Sequence, residues 1–417
     1  MTLKKMAGEL FRGSFTLFIF MNLFNVLNYF FHFVSARLLG PADYGILAAI
    51  MSMIFVFSIP ADTIQTILSR YSTKYNLENK KMLKDLLVKS MKKFTLAGLI
   101  STGIFLLFSP VISKFLFIDL RLIMLSGLIL FSFFVIPIPR GILQGTKKFF
   151  SLGISIIIES SSKLIFVALL IMLGFGVAGA LWGVLIGFGI AFIASLLLIR
   201  DVLKEKSDGG KIMGIYSYSL PVLISVIAIT LFYSFDVIIA KRFFSNELVG
   251  QYAVVSLIGK TLFFGTVPIS RAMFPLVSEK HDKNEKKDVS SILKKTMLLV
   301  FAIDIVALVI IMLFPKLIIS ILYGAGYGEL SSYLGYIGLA MTFLSLTNVI
   351  LFYNLSIHRY NTSFIVLIFA LLQIIVLFMF SNSMLQFILA FLAINFITFI
   401  ASVLSLKLKS KSSTLSV

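Results

Sequence analysis

The sequence predicts an all-α integral membrane protein of about twelve transmembrane helices. Two observations predict this fold class. Hydrophobic residues make up 59% of the 417 residues and charged residues only 13%, with a mean hydropathy of +1.04, whereas soluble domains carry about 25% charged residues. The apolar residues also fall into blocks about twenty residues long, the length that a helix needs to cross roughly 30 Å of hydrocarbon.

Apolar blocks follow one another along the chain on both sides of a polar gap at 201–214. Several of them contain an internal proline, which a membrane helix tolerates where neighbouring groups satisfy the freed carbonyl and which tends to kink the helix. Notable examples are Pro60, Pro137, Pro139, Pro221 and Pro268. The blocks lie near 14–38, 45–69, 93–116, 121–140, 151–173, 177–200, 216–241, 249–277, 296–322, 331–357, 363–381 and 384–406.

The distribution of Lys and Arg predicts the direction of each crossing. If the N-terminus and every second connection lie in the cytoplasm, 28 of the 37 basic residues fall on that side, 6 fall on the opposite side and 3 lie inside apolar blocks. Cytoplasmic loops are enriched in Lys and Arg, so we expect both termini in the cytoplasm of a multi-pass protein of the cell (plasma) membrane. The net charge of +19 is interpreted as loop charge that meets anionic membrane lipid, with no nucleic acid as partner.

The first residues of the chain carry Lys4, Lys5 and Arg12 ahead of a long apolar run. A secretory signal would have a shorter apolar core and a small-residue cleavage site. The segment is therefore predicted to be a retained first helix.

An internal repeat relates the two halves of the sequence. The segments 34–45 and 239–250 align without a gap, so that Arg37 matches Arg242. A proline and then a charged loop follow both segments. Because a repeat of six helices places equivalent segments on the same side of the membrane, the two copies are predicted to be parallel, related by an axis along the membrane normal.

This repeat predicts two domains, an N-terminal six-helix bundle at 1–205 and a C-terminal six-helix bundle at 206–417. Two such bundles suggest a central cavity that opens alternately to each side of the membrane. That architecture favours a transporter over a channel, an enzyme or a scaffold.

Two motifs resemble those of a known family. The stretch Arg37-Leu-Leu-Gly-Pro-Ala-Asp-Tyr-Gly-Ile-Leu-Ala-Ala49 resembles the first external turn of polysaccharide-biosynthesis flippases of the Wzx type, and Pro139-Arg-Gly-Ile-Leu-Gln-Gly-Thr-Lys-Lys-Phe149 is similar to the turn of that family where the fourth helix meets the cytoplasm. These proteins belong to the superfamily that also contains multidrug extruders and the lipid II flippase MurJ. The second copy of the first motif, at 244–250, lacks the Gly-Pro pair.

The resemblance implies a flippase that moves a lipid-linked oligosaccharide, a polyprenyl-diphosphate glycan, from the cytoplasmic to the external leaflet. Basic residues within the bundle suit the diphosphate of such a substrate. Three basic residues fall inside apolar blocks, where charge is costly and usually functional, and they are Lys163, Lys260 and Arg271. Glu159 lies four residues before Lys163, so an internal ion pair between these two is as well supported as a place in the substrate cavity.

Acidic residues inside the blocks are candidates for binding a coupling ion, H⁺ or Na⁺. Asp62 follows Pro60, and pairing with a neighbouring basic residue is an equal alternative for it. For Asp236, an interfacial pair with Lys241 and Arg242 is slightly favoured over an ion site. Asp304 is expected to pack against loop lysines.

The first predicted helix carries a polar stripe. Asn22, Asn25, Tyr29 and His32 follow one another at intervals of three or four residues, which places them on one helix face with Arg37 just beyond its outer end. Such a stripe indicates either interhelical hydrogen bonds or a cavity wall, and the wall of the substrate cavity is favoured.

Several functions are excluded or disfavoured by the motifs that the sequence lacks. It has no Walker A loop, nucleotide fingerprint or nucleophile elbow, and it has no cysteine, so a non-enzymatic transporter without cofactor or metal is predicted. One alternative is a cation-coupled exporter of small amphipathic compounds, which would have an acidic and aromatic cavity. Another is a membrane-embedded glycosyltransferase or polymerase, which would have a long external loop.

Overall fold

The computed structural model describes residues 3–78, 81–205 and 220–406, and the elements in these ranges are helices joined by short connections. The basic C-terminal segment that is predicted to be cytoplasmic lies after residue 406, outside these ranges. The helices divide into two units, Met1–Tyr218 and Ser219–Val417.

The first unit is built from helices that differ widely in length. Within its described residues they are α1 (Leu3–Val56), α2 (Ile59–Glu78), α3 (Lys81–Leu116), α4 (Leu120–Val135), α5 (Pro137–Gly145), α6 (Phe149–Leu170), α7 (Gly176–Leu198) and α8 (Arg200–Lys204).

The second unit has the same all-helical character. Its described helices are α9 (Leu220–Phe243), α10 (Asn246–Asp282), α11 (Lys286–Leu313), α12 (Pro315–Tyr323), α13 (Leu334–Ser356), α14 (Asn361–Met379) and α15 (Met384–Ser405), with short 3₁₀ turns at Ala325–Tyr327 and Glu329–Tyr333.

Ten helical segments within the described ranges are long and apolar enough to cross a membrane. Two of them, Ile19–Asn76 and Phe149–Leu198, are 58 and 50 residues long, whereas one crossing needs about 20 residues. Each contains a glycine with non-helical backbone angles, Gly40 (φ 74°, ψ 171°) and Gly174 (φ 89°, ψ 8°). The multi-pass helical membrane protein is confirmed, and the described ranges contain ten candidate spans where hydropathy separates about twelve blocks.

The chain turns and starts a new helical segment both at Gly40 and at the start of α10, but different residues form the two turns. Gly40 adopts backbone angles that essentially only glycine tolerates, and Pro41 follows it, where its missing N–H costs nothing at a helix start. In the second unit Ser245 is extended (φ −61°, ψ 154°) and its side chain accepts a hydrogen bond from the Leu248 N–H at 3.3 Å. The Gly-Pro pair missing from the second copy is therefore replaced by a serine N-cap.

Glycines let α6 and α7 approach closely in the first unit. A Cβ atom on Gly183 would lie 2.5 Å from the backbone nitrogen of Val167, and one on Gly187 would lie 2.8 Å from the Cα of Lys163. Both distances are below any real Cβ contact. This close packing fixes the position of α6, which carries two of the predicted site residues.

In the second unit α13 forms the interior and packs against α10, α11 and α15. A Cβ atom on Gly338 would lie 2.7 Å from Ile311 Cδ1 and 2.8 Å from Leu308 Cδ1, so this face of α13 lies directly against α11. Each neighbouring helix contributes apolar side chains to a common cluster that includes Met273, Val300 and Val349. The contact between α11 and α13 determines the surroundings of Asp304, which lies on α11.

Candidate functional site: buried charges within each unit

Lys163 lies in the interior of the first unit, where α1 covers it. Its Nζ donates a hydrogen bond to Asn28 Oδ1 and lies 4.7 Å from the centre of the Phe31 ring. An ammonium over an aromatic face is attracted by the ring quadrupole. Lys163 is 5% exposed, and in this state it is held by a neutral amide and a ring.

Glu159 forms its ion pair with Arg140, so the alternative of an internal ion pair with Lys163 is not the arrangement that the structure shows. The Arg140 Nη1 lies 2.7 Å from Glu159 Oε2, and the same guanidinium donates to the hydroxyl and the carbonyl of Ser155 at 2.9 and 3.0 Å. The lysine is turned towards α1, whereas the arginine reaches α6 from α5. Arg140 therefore lies at a helix–helix contact of the first unit and is not a free loop cation.

The motif at 140–145 joins α5 to α2. Gln65 Nε2 donates to Gln144 Oε1 at 2.9 Å, and the Thr73 hydroxyl donates to the Gly145 carbonyl at 3.0 Å. A Cβ atom on Gly141 would lie 2.6 Å from Leu68 Cβ. These residues hold α5 and α2 together, which gives the motif a structural role.

Asp236 lies at the centre of a polar cluster in the second unit. Its Oδ1 is 2.9 Å from Lys260 Nζ, and its Oδ2 accepts hydrogen bonds from the hydroxyls of Tyr252 and Ser256 at 3.1 and 2.5 Å. The Asp236 side chain is completely buried. The expectation of an interfacial pair with Lys241 and Arg242 is therefore corrected, because the carboxylate lies inside the unit.

Helix α10 supplies all three partners of Asp236 from one face. Tyr252, Ser256 and Lys260 follow at intervals of four residues, which places them above one another on a helix. This spacing is visible in the sequence and is the signal that could have revealed Tyr252 and Ser256. The sequence predicts Lys260 as a phosphate contact, whereas in the structure it forms an ion pair with the Asp236 carboxylate.

The polar stripe of α1 does not act as one group. Asn22, Asn25 and Arg37 are exposed, whereas the Nδ1 atom of His32 lies 3.1 Å from the hydroxyl of Tyr44 within the unit. The sequence prediction did not include Asn28, which lies at the boundary of this helix face and accepts a hydrogen bond from Lys163. The structure therefore separates the exposed residues of the stripe from His32, which lies beside Tyr44, and from the neighbouring Asn28, which contacts α6.

The other predicted residues have different surroundings. Asp62 on α2 and Arg271 on α10 are exposed. Asp304 is completely buried, so the expectation that it packs against loop lysines is corrected. Within the described ranges no group of three His, Asp or Glu residues is arranged to hold a metal ion.

Comparisons with known proteins agree with this fold. Residues 10–281 match the model of the polysaccharide biosynthesis protein family, and residues 221–380 match the MatE model. An uncharacterized membrane protein of Methanocaldococcus jannaschii is 28% identical over 284 residues, covering 62% of this chain and 66% of that protein. The alignment thus spans just under two thirds of that relative.

Two solved structures share the fold at low identity. One is an inward-facing multidrug resistance MATE family transporter of the MOP superfamily, with a TM-score of 0.73 and 14% identity over 91% of this chain and 94% of that chain. The other is the lipid II flippase MurJ in an inward closed conformation, with a TM-score of 0.70 and 16% identity over 94% of this chain and 87% of that chain.

The described spans define a multi-pass helical membrane protein, and the solved structures that share its fold are a MATE family transporter and a lipid II flippase. Within that class, the chain belongs to the polysaccharide biosynthesis protein family, whose model covers more than half of it and includes both motifs. The resemblance inferred from those motifs is confirmed.

Proposed function

We propose that this protein flips a lipid-linked oligosaccharide, a polyprenyl-diphosphate glycan, from the cytoplasmic to the external leaflet by alternating access. Such a substrate brings two phosphates and a hydrophilic glycan across the membrane, while its lipid tail stays in the bilayer. It therefore needs a cation that is accessible at the leaflet where loading occurs. Membership of the polysaccharide biosynthesis family supports this substrate class.

The observation that carries the proposal is the contrast between Arg271 and the other two basic residues. Lys260 is engaged with Asp236, and Lys163 is enclosed by α1. Arg271 is exposed and takes no ion-pair partner from the described residues. A guanidinium binds phosphate through two parallel hydrogen bonds. Arg271 is therefore the first contact for the diphosphate in this proposal.

The position of Arg271 along α10 supports the same role. Helix α10 has 37 residues, which at 1.5 Å per residue is about 55 Å and longer than the roughly 30 Å of hydrocarbon. Arg271 lies in the last third of the helix, between Pro268 and Pro275. In the proposed orientation this third is on the cytoplasmic side, where the substrate is made.

The topology that accompanies this function has twelve crossings and both termini in the cytoplasm. The non-helical glycines at 40 and 174 divide the two long spans into two crossings each. A parallel repeat of 1–205 and 206–417 and a plasma-membrane location belong to the same proposal.

This topology predicts a labelling pattern that the chain is well suited to reveal. It has no cysteine, so every engineered cysteine is unique. We expect Arg121→Cys and Lys316→Cys to react with an impermeant maleimide added outside intact cells, and Lys147→Cys and Lys283→Cys to react only after the cells are opened. External labelling at position 283 would contradict the assignment of that connection to the cytoplasm.

The flipping activity itself is tested with purified protein in liposomes that contain a labelled polyprenyl-diphosphate oligosaccharide. We expect wild-type protein to move the glycan to the inner leaflet, where an added glycosidase cannot reach it. Arg271→Ala should slow this transfer about 10- to 100-fold, because charge-assisted hydrogen bonds contribute about 1.5–3 kcal/mol. Arg271→Lys should retain part of the activity.

The matched control is Lys294→Ala, which removes an exposed cation from α11. It should leave transfer unchanged. Absence of transfer by folded wild-type protein would contradict the flippase proposal, whereas full activity of Arg271→Ala would remove only the role of that residue.

A cation-coupled exporter of small amphipathic compounds is the second candidate function. The match of residues 221–380 to the MatE model favours it, and in that case Asp62 and Asp236 would bind H⁺ or Na⁺. Asp236 is already paired with Lys260, so ion binding there requires the lysine to move away. Deletion of the gene distinguishes the two functions: a flippase mutant accumulates a completed lipid-linked glycan, whereas an exporter mutant changes drug resistance and keeps its surface glycan.

A further inference from the structure

Asp304 is a buried acid whose surroundings differ from those of Asp236. Its side chain on α11 is completely buried, and in the part of the chain that the structure describes neither carboxyl oxygen has a hydrogen-bond partner. Asp236, the other fully buried acid of this unit, receives three donors including an ammonium. Burial of an ionised carboxylate without donors is strongly unfavourable, so the ionisation state of Asp304 needs an explanation.

Ser345 on α13 is a polar side chain close enough to Asp304 for its hydroxyl to interact with the carboxyl group. The Ser345 hydroxyl already donates its hydrogen to the Met341 carbonyl at 3.0 Å, so it presents only lone pairs to α11. Val300, one turn before Asp304, lies in the apolar cluster of this unit. An ionised Asp304 would face the lone pairs of Ser345 Oγ and apolar side chains. A protonated Asp304 can instead donate its O–H to those lone pairs.

Charged groups of the neighbouring helices do not compensate Asp304 in the described residues. On α10, Lys260 pairs with Asp236 and Arg271 is exposed. Lys316 on α12 and Lys294 on α11 are exposed, and α13 contains no charged residue. The described environment thus supplies no cation, and the nearby hydroxyl, that of Ser345, is directed to the Met341 carbonyl.

We propose that Asp304 is a proton-binding site of the second unit. The side chain is held as the neutral acid, and Ser345 Oγ is the acceptor available to its O–H. When a conformational change admits water to this part of α11, the acid ionises, the proton passes to water and the carboxylate is hydrated. A transport cycle that wets and dries this position therefore releases and binds one proton.

Infrared spectroscopy tests the site without any substrate, so its outcome is independent of the flippase proposal. In the purified full chain at neutral pH we expect the C=O stretching band of a protonated carboxylic acid. Asp304→Asn should remove this band. Ser345→Ala should shift it to higher frequency, because the acid loses its acceptor.

The matched control is Asp119→Asn. Asp119 is exposed and caps α4 by accepting a hydrogen bond from the Arg121 N–H at 2.7 Å, and asparagine caps helices equally well. This variant should keep the acid band. The proposal is overturned if the wild type lacks the band, if the band persists in Asp304→Asn, or if sodium shifts a carboxylate band that Asp304→Asn lacks. If Asp304→Asn does not fold, an unshifted acid band in Ser345→Ala would also contradict the proposal.

Discussion

Replacing Lys260 by methionine is expected to lower the free energy of unfolding by about 3–5 kcal/mol, the usual cost of removing one partner of a buried ion pair. Asp236 would keep only the hydroxyls of Tyr252 and Ser256 as donors. Methionine fills much of the volume of the lysine stem, so the loss reports the charge and not a cavity. Thermal unfolding of the purified protein in detergent measures it as a lower midpoint.

Two further variants separate pairing from other effects. Lys294→Met removes an exposed lysine of α11 and should leave the midpoint nearly unchanged. The double variant Asp236→Asn with Lys260→Met removes both charges and should recover most of the loss, since replacing a buried ion pair by neutral groups is often close to neutral. An unchanged midpoint in the single variant Lys260→Met would show that the pair does not form.

Gly183→Ala is expected to destabilise the first unit by about 1–3 kcal/mol or more, as overpacking of a dense interior does. The new Cβ would lie 2.5 Å from the backbone nitrogen and 2.6 Å from the Cγ2 atom of Val167. The backbone cannot rotate away as a flexible side chain can, so α6 and α7 must separate. Because α6 carries Lys163 and Glu159, the contacts of both residues should weaken with it.

Gly189 on the same helix provides the control. A Cβ atom there meets nothing within 4 Å, and alanine is a better helix former than glycine by about 1 kcal/mol. Gly189→Ala should therefore match or exceed the wild-type unfolding midpoint. Equal destabilisation by the two substitutions would indicate that close packing against α6 is not the cause.

Much of the fold could be predicted from local sequence. The apolar blocks match the helical spans, and the expected turns near positions 40 and 174 coincide with glycines at positive φ. The prediction separated the blocks at these turns, and the backbone angles of both glycines leave the helical range there. Hydropathy detects polar interruptions but does not distinguish a broken helix from a kinked one.

The charged residues of the candidate site could be identified from the sequence, but their partners could not. Lys163 and Asp236 stood out because an ionisable residue in an apolar block is costly. Asn28 lies 135 positions before Lys163, and no local pattern connects them. For Glu159, the sequence offered Lys163, four residues further along the same helix, as a partner. Its partner in the structure is Arg140 on α5.

The sequence by itself determined that this chain is a multi-pass helical membrane protein of its family, because the bilayer selects for apolar composition over each span of about twenty residues. Only the tertiary structure decided which buried charges neutralise one another and which acid has no partner. Those outcomes depend on the rotation and separation of neighbouring helices, which contacts such as Gly183 with Val167 and Gly338 with Leu308 determine.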